Sequence, residues 1–125
     1  MDIKDFFPNI KRERVENLFH SLDFYEPVPG KHAEILSIIC TKDNALPQGA
    51  ATSPAISNII FGVIDKEIVE ICGANNVIYT RYADDLTLSG DCKKILLDTV
   101  WKVKEAIKLR GFRINRRKSR MMSGG

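Results

Sequence analysis

The sequence has 125 residues, of which 44% are hydrophobic and 28% are charged, and its formal net charge is +3. These values are typical of one globular domain with a single core. No apolar run reaches the ~18 residues of a membrane span, and the start lacks the pattern of a signal peptide. We therefore expect a cytoplasmic protein without a membrane partner. Three widely spaced cysteines, Cys40, Cys72 and Cys92, predict reduced thiols that lie mostly in or near the core.

The N-terminal third predicts a short strand, a loop and two helices. Asp2 stands at the end of the strand, and the chain turns at Pro8-Asn9. Apolar residues then recur every three or four positions from Lys11 to Leu22, which predicts an amphipathic helix. A surface loop at Pro27–Gly30 leads to a second helix over Lys31–Cys40. The predicted inner face of that second helix is Ile35, Leu36, Ile39 and Cys40.

The middle of the chain predicts a loop followed by a long helix. Pro47-Gln48-Gly49 is typical of a loop, and Ser53-Pro54 is typical of a helix start. We expect Ser53 to cap the free backbone N–H groups and Pro54 to occupy the first helical position. The helix then continues through a series of isoleucines to a stop at Gly73.

The segment from Val77 to Ser89 predicts two short strands joined by a tight turn at Ala83-Asp84. Aromatic and β-branched residues dominate both flanks, and aspartate is tolerated in turns. The adjacent carboxylates of Asp84 and Asp85 repel each other, so a cation such as Mg²⁺ could offset their charge. On its own, an aspartate pair of this kind is far more often a solvated acidic turn than a metal site.

The last third predicts a helix from Cys92 to Arg110, capped by Asp91 and ended by Gly111. Its predicted inner face is Ile95, Leu96, Val100, Val103 and Ile107, with Trp101 beside it. A short strand at Phe112–Ile114, a turn and a further strand through Met122 follow. After Glu105 the chain has only basic charges: Lys108, Arg110, Arg113, Arg116, Arg117, Lys118 and Arg120. This basic end predicts either a solvated face or a phosphate-binding surface.

The predicted order is therefore strand, two helices, loop and helix, hairpin, helix and strand. This order favours an α+β fold in which helices pack on one face of an antiparallel sheet.

Four runs resemble, in order, motifs of the reverse transcriptases, above all the bacterial retron-type enzymes. They are Asp2–Phe7, Leu46–Asn58, Tyr79–Thr87 and Gly111–Lys118, and Tyr82-Ala83-Asp84-Asp85 is the most characteristic part. One departure is Ala51, where bacterial relatives often carry proline. The resemblance implies a palm domain with a ferredoxin-like core over residues 1–125. Because the fingers and thumb of the family would lie outside this sequence, we expect a fragment that is inactive alone.

The resemblance also implies roles for individual residues. Asp2 and Asp84 would be the main metal ligands and Asp85 a weaker third acid, since successive strand residues point to opposite faces. Lys118 would donate a proton near the leaving pyrophosphate, and Phe7 would crowd a 2′-hydroxyl. The implied substrate-binding residues are Phe7, Gln48, Gly49, Ser53, Pro54, Asn58 and Tyr82.

The implied reaction is nucleotidyl transfer from dNTPs to a primer 3′-hydroxyl, with two Mg²⁺ ions about 4 Å apart. The partners would be an RNA template and a DNA or RNA primer. The resemblance leaves open whether a structured non-coding RNA is a further partner and whether the protein has a role in antiviral defence. Two alternatives remain: a group II intron-type or other bacterial reverse transcriptase, and a catalytically silent nucleic-acid-binding remnant. The enzymatic interpretation requires that the strand carrying Asp2 lies beside the hairpin.

Overall fold

The computed structural model describes residues 1–21 and 30–123. Its elements in chain order are α1 (Arg12–Ser21), α2 (Gly30–Cys40), α3 (Ser53–Gly73), β1 (Ile78–Tyr82), β2 (Asp85–Ser89), α4 (Lys93–Leu109) and a 3₁₀ turn (Arg116–Lys118). The chain is thus α+β, with four helices and a two-stranded antiparallel sheet in the described part. The predicted loop residues Pro27–Pro29, and Leu22 of the predicted first helix, lie outside it.

The chain divides into two compact units. The hairpin unit comprises Met1–Lys4 and Val63–Gly125, and the loop unit comprises Asp5–Gly62. Across residues 1–21 and 30–123, no helix combines the length and apolar character that a membrane crossing needs.

In the hairpin unit, β1 and β2 pair antiparallel from Ile78–Ser89 to Tyr82–Asp85, so a two-residue turn joins them. The N-terminal segment forms isolated antiparallel bridges on both of its sides, Asp2 with Asp85 and Ile3 with Ile114. The segment that carries Asp2 therefore lies beside the hairpin, as the sequence-based interpretation required. The predicted strand at Phe112–Ile114 is reduced to one such bridge, and Met121 and Met122 form no strand.

Alternation along these segments separates a polar face from an apolar one. Ile3 and Leu86 are 2% and 0% exposed, whereas their neighbours Asp2 and Asp85 project to the opposite side. Helices α3 and α4 add further apolar residues to the interior of this unit. The buried residues of the two helices here are Ile64, Ile68, Cys72, Thr99, Val103, Ala106 and Ile107.

Helix α4 ends as predicted but begins differently. At its C-terminus Gly111 has φ +88°, and the N–H groups of Gly111 and Phe112 donate to the carbonyls of Lys108 and Ile107. This is a Schellman motif, in which glycine supplies the left-handed residue. At the N-terminus Asp91 is not the cap: Cys92 holds that position, and its side chain makes no capping hydrogen bond.

The start of α3 also differs from its prediction. The carbonyl of Thr52 accepts the hydrogen bond of Ile56 N–H, so Ser53 is the first helical residue and Pro54 the second. Ser53 is fully buried, and its hydroxyl donates to the carbonyl of Pro47 at 2.7 Å. Ser53 therefore closes the preceding loop instead of capping the helix.

The inner face of α2 was predicted correctly at Cys40 but wrongly at Ile35 and Ile39. Ile35 and Ile39 are 44% and 72% exposed, whereas Ala33, Ser37 and Cys40 are buried. Helix α2 packs against α1, and small side chains let two helices approach closely. Ser37 is tolerated inside because its hydroxyl donates to the carbonyl of Glu34 at 2.6 Å. A similar but smaller error affects α4, where Ile95 is 45% exposed.

Candidate active site

The turn between β1 and β2 presents its polar residues to solvent. Tyr82 is 87% exposed, and Asp84 and Asp85 are exposed as well. Ala83 has φ +52°, in the left-handed region that a residue with a Cβ rarely adopts. The surrounding structure must therefore hold this turn in place.

Backbone hydrogen bonds bring Asp2 against the turn. The N–H of Ile3 donates to the carbonyl of Asp84 at 2.8 Å, and the N–H of Leu86 donates to the carbonyl of Met1 at 2.7 Å. Asp2 and Asp85 are thus directly opposite each other as a non-hydrogen-bonded pair, the kind in which side chains approach most closely. Both side chains leave the same face. We call Asp2, Asp84 and Asp85 the acid site.

Lys118 adds a positive charge to this site. Its Nζ lies 3.8 Å from Oδ2 of Asp2. Asn115 caps the 3₁₀ turn that carries Lys118: its side-chain oxygen accepts the N–H of Arg117, and its own N–H donates to the carbonyl of Asp2. Lys118, the predicted proton donor, is therefore held near Asp2, the first predicted metal ligand, in two ways. Their charges attract, and the backbone hydrogen bond from Asn115 to Asp2 places the turn of Lys118 beside the site.

The acid site has suitable donors for a hard cation. Carboxylate oxygens are the side-chain ligands that Mg²⁺ prefers, and the three aspartates adjoin one another along hydrogen-bonded backbone. Among the described residues, no group of three or more His, Cys, Asp or Glu side chains is already gathered as a metal-binding set. The residues fit Mg²⁺ by donor chemistry.

The predicted substrate-binding residues other than Tyr82 belong to the loop unit. Phe7 is half-buried and stacks on Phe6, with ring centroids 5.6 Å apart. Gln48 and Gly49 form an exposed turn in which Gly49 has φ +83°. Pro54 and Asn58 are exposed on α3.

Sequence analysis missed a group that fixes the hairpin. Asp65 on α3 accepts two hydrogen bonds from Arg81 on β1, from Nε at 2.9 Å and from Nη2 at 2.7 Å. The hydroxyl of Tyr79 donates to the same carboxylate at 2.7 Å, and Nη1 of Arg81 donates to the carbonyl of Ala83 at 2.8 Å. We call Asp65, Tyr79, Arg81 and the Ala83 carbonyl the anchor network.

Two members of the anchor network, Tyr79 and Arg81, have raised pKa values and hold their protons more tightly than usual. Burial, the hydrogen bond to Asp65 and its charge raise the pKa of Tyr79 well above the ordinary value of 10.0. The hydrogen bond to Asp65 is the main cause that raises the pKa of Arg81. Tyr79 therefore keeps its proton as a donor. The signal in the sequence was available: Tyr79 and Arg81 are two apart on a strand and share a face, and Asp65 interrupts an apolar stretch of helix.

Comparison with known proteins identifies the class. The family model described as reverse transcriptase (RNA-dependent DNA polymerase) matches residues 1–124. The chain belongs to this family.

Within the family the chain is similar to retron reverse transcriptases. It is 42% identical to the Retron Ec86 reverse transcriptase of Escherichia coli over 75% of this chain and 28% of that protein. It is 32% identical to the Retron Mx65 reverse transcriptase of Myxococcus xanthus over 100% of this chain and 33% of that protein. The chain thus spans about a third of the length of these relatives.

Proposed function

We propose that this chain forms the catalytic part of a retron-type RNA-directed DNA polymerase. The observation that carries the proposal is the pairing of Asp2 with Asp85 beside the turn that holds Asp84. This pairing brings Asp2, from the start of the sequence, beside the adjacent residues Asp84 and Asp85 at one end of the hairpin. The similarity to retron reverse transcriptases supports the same reaction.

The proposed fold is a palm with a ferredoxin-like core. Its support is the order of paired segments: β1, β2, the N-terminal segment and residues 113–115. Along the chain the order is strand, helix, two strands, helix, strand, with α1 and α2 inserted before α3. With the N-terminal segment and residues 113–115 counted as strands, although they form only isolated bridges, this order would correspond to the β-α-β-β-α-β arrangement of ferredoxin-like folds.

In the proposed reaction, the primer 3′-hydroxyl attacks the α-phosphate of a dNTP and pyrophosphate leaves. Asp2, Asp84 and Asp85 would hold two Mg²⁺ ions, which supply charge stabilisation for the attacking and leaving oxygens. Lys118 would hold at Nζ the proton that passes to the leaving group. The rest of the protein's contribution is to orient the reactants.

The loop unit would supply the nucleotide contacts. The exposed turn of Gln48 and Gly49 offers backbone and amide groups to a nucleotide or template base. Gly49 suits that role because glycine, which has no Cβ, adopts the left-handed backbone of this turn without steric strain. Phe7 would crowd the sugar 2′-position, whereas Ser53, Pro54 and Asn58 shape the loop and helix start, and Tyr82 would contact substrate from the hairpin turn. The proposed partners are an RNA template and a DNA or RNA primer, with a structured non-coding RNA as a further one.

Primer extension tests this function. The intact protein that contains this chain should extend a primer on an RNA template with Mg²⁺ and dNTPs. Asp84→Asn should lower the rate at least about 1,000-fold, since it removes electrostatic stabilisation worth several kcal/mol. Asp98→Asn is the matched control, because Asp98 is an exposed acid on α4 that pairs only with nearby Lys102 at 2.8 Å among the ion pairs of the described residues.

The alternative is a catalytically silent nucleic-acid-binding protein. The observation that favours it is the basic end, whose seven Lys and Arg residues are all exposed. An intact protein that binds RNA equally well with and without Asp84→Asn, and that extends no primer, would establish this alternative and contradict the polymerase proposal.

A further inference from the structure

The anchor network has no part in the chemistry described above, yet it reaches the acid site. It begins on α3 at Asp65, crosses to β1 through the guanidinium of Arg81, and ends on the carbonyl of Ala83. The next residue after that carbonyl is Asp84. The network therefore connects a helix to the peptide group that precedes a predicted metal ligand.

The turn needs such support. Ala83 sits at φ +52°, which disfavours any residue with a Cβ, and Asp84 and Asp85 follow it with like charges. A bidentate guanidinium–carboxylate pair is the most directional ion pair that side chains form. While Nε and Nη2 of Arg81 bind Asp65, Nη1 points at the Ala83 carbonyl. One rigid group thus fixes both the helix–strand contact and the turn.

We propose that Asp65 and Arg81 are positioning residues that hold Asp84 and Asp85 in the arrangement that binds catalytic metal, with Tyr79 orienting the Asp65 carboxylate. This inference rests on the proposed function. It does not require either residue to touch substrate. Lysine cannot replace Arg81, since an ammonium group lacks the planar fork that binds Asp65 through two nitrogens while a third reaches Ala83.

The test uses the intact protein and three substitutions: Asp65→Asn, Arg81→Lys and the milder Tyr79→Phe. The matched control is Glu67→Gln, which removes a carboxylate from the same helix. In the described part of the chain, the carboxylate of Glu67 forms an exposed pair with Arg110 at 3.3 Å rather than with the turn. Steady-state primer extension and its Mg²⁺ dependence are measured at a temperature where circular dichroism shows every variant to be folded.

We expect Asp65→Asn and Arg81→Lys to lower kcat about 100-fold, the effect of a misplaced reacting group. The Mg²⁺ concentration for half-maximal rate should rise about 10-fold, as when a group that orients a metal ligand is removed. The KM for primer–template should stay unchanged. The double variant should lose about as much as either single one, because both act through one unit. Tyr79→Phe should give a smaller change in the same direction, and Glu67→Gln none.

Two outcomes overturn the inference. If the wild type is active and the folded Tyr79→Phe and Arg81→Lys variants keep both its kcat and its Mg²⁺ dependence, the network is only structural. A loss of rate that follows the unfolded fraction alone leads to the same conclusion. An intact wild type that extends no primer instead refutes the proposed function, and the positioning role with it.

Discussion

At the scale of single residues, the guanidinium of Arg81 links three parts of the hairpin unit. Its side chain is 9% exposed and that of Asp65 is 26% exposed, so the pair is largely withdrawn from water. Removing one member of such a pair costs about 3–5 kcal/mol, because the remaining charge keeps its desolvation penalty. The stability of the hairpin therefore depends on both members being present, which is why activity must be compared among folded variants.

Tyr79 gives this pair a dependence on pH. Its pKa is raised in the folded protein above 10.0, so the folded state holds the phenolic proton more tightly than the unfolded chain. The stabilisation is complete below pH 10 and decreases as the pH rises further, because loss of the phenolic proton then stabilises the unfolded chain relative to the folded protein.

We predict that Tyr79→Phe lowers the free energy of unfolding by about 2 kcal/mol at neutral pH, because it removes a hydrogen bond to a charged group. The difference from wild type should shrink above pH 10. Urea denaturation of the protein between pH 7 and 11 measures both effects. Tyr82→Phe is the control, because that side chain is 87% exposed. A difference that stays constant through pH 11 would contradict the assignment of Tyr79 as a donor held by Asp65.

At the scale of elements, helix ends show which local signals are sufficient. Gly111 was predicted to end α4 and does so, because its left-handed backbone at φ +88° is costly for other residues. Asp91 and Ser53 were predicted as caps, and neither caps a helix. Which side chain can cap a helix depends on the exact residue at which the helix begins. Residue types along a stretch predict that starting residue only to within one or two positions.

Two glycine substitutions should have opposite effects. Gly111→Ala should lower the free energy of unfolding by about 1 kcal/mol or more, because alanine must adopt the left-handed region there. Gly62→Ala should raise it by about 0.5–1 kcal/mol, since Gly62 lies within α3 and an added Cβ meets no atom within 4 Å. Thermal or urea denaturation measures both effects. Equal changes in the free energy of unfolding for the two variants would refute the argument from backbone conformation.

At the scale of the whole molecule, charge is distributed unevenly. The acid site lies at the hairpin turn and the N-terminal segment beside it, whereas the seven exposed basic residues that follow Glu105 belong to the C-terminal segment of the same unit. Lys118 belongs to both, because it lies at the acid site and within the basic segment. A phosphate backbone bound along the basic segment would therefore be led toward the acids.

Salt dependence tests that role. Replacing Arg116 and Arg117 with glutamine should reduce the slope of log K against log salt by about 0.7–0.9 for each phosphate that the variant no longer neutralises. Lys93→Gln with Lys94→Gln is the matched control, since these exposed lysines lie at the other end of α4. Filter binding of an RNA–DNA duplex over a range of salt concentrations gives the slopes. An unchanged slope would show that the basic segment is a solvated face.

The sequence by itself determined the family, the α+β class, the hairpin with its two-residue turn and the acidic residues worth testing. These features depend on residue type and on spacing within a short stretch, such as alternation along β1 and β2 or glycine after α4. Only the tertiary structure decided that Asp2 pairs with Asp85, that Lys118 reaches Asp2, and that small residues form the inner face of α2. It also joined Asp65 to Arg81 and the turn. These interactions join segments that are distant in the sequence, and their energy comes from burial and charge pairing that exist only once the chain is folded.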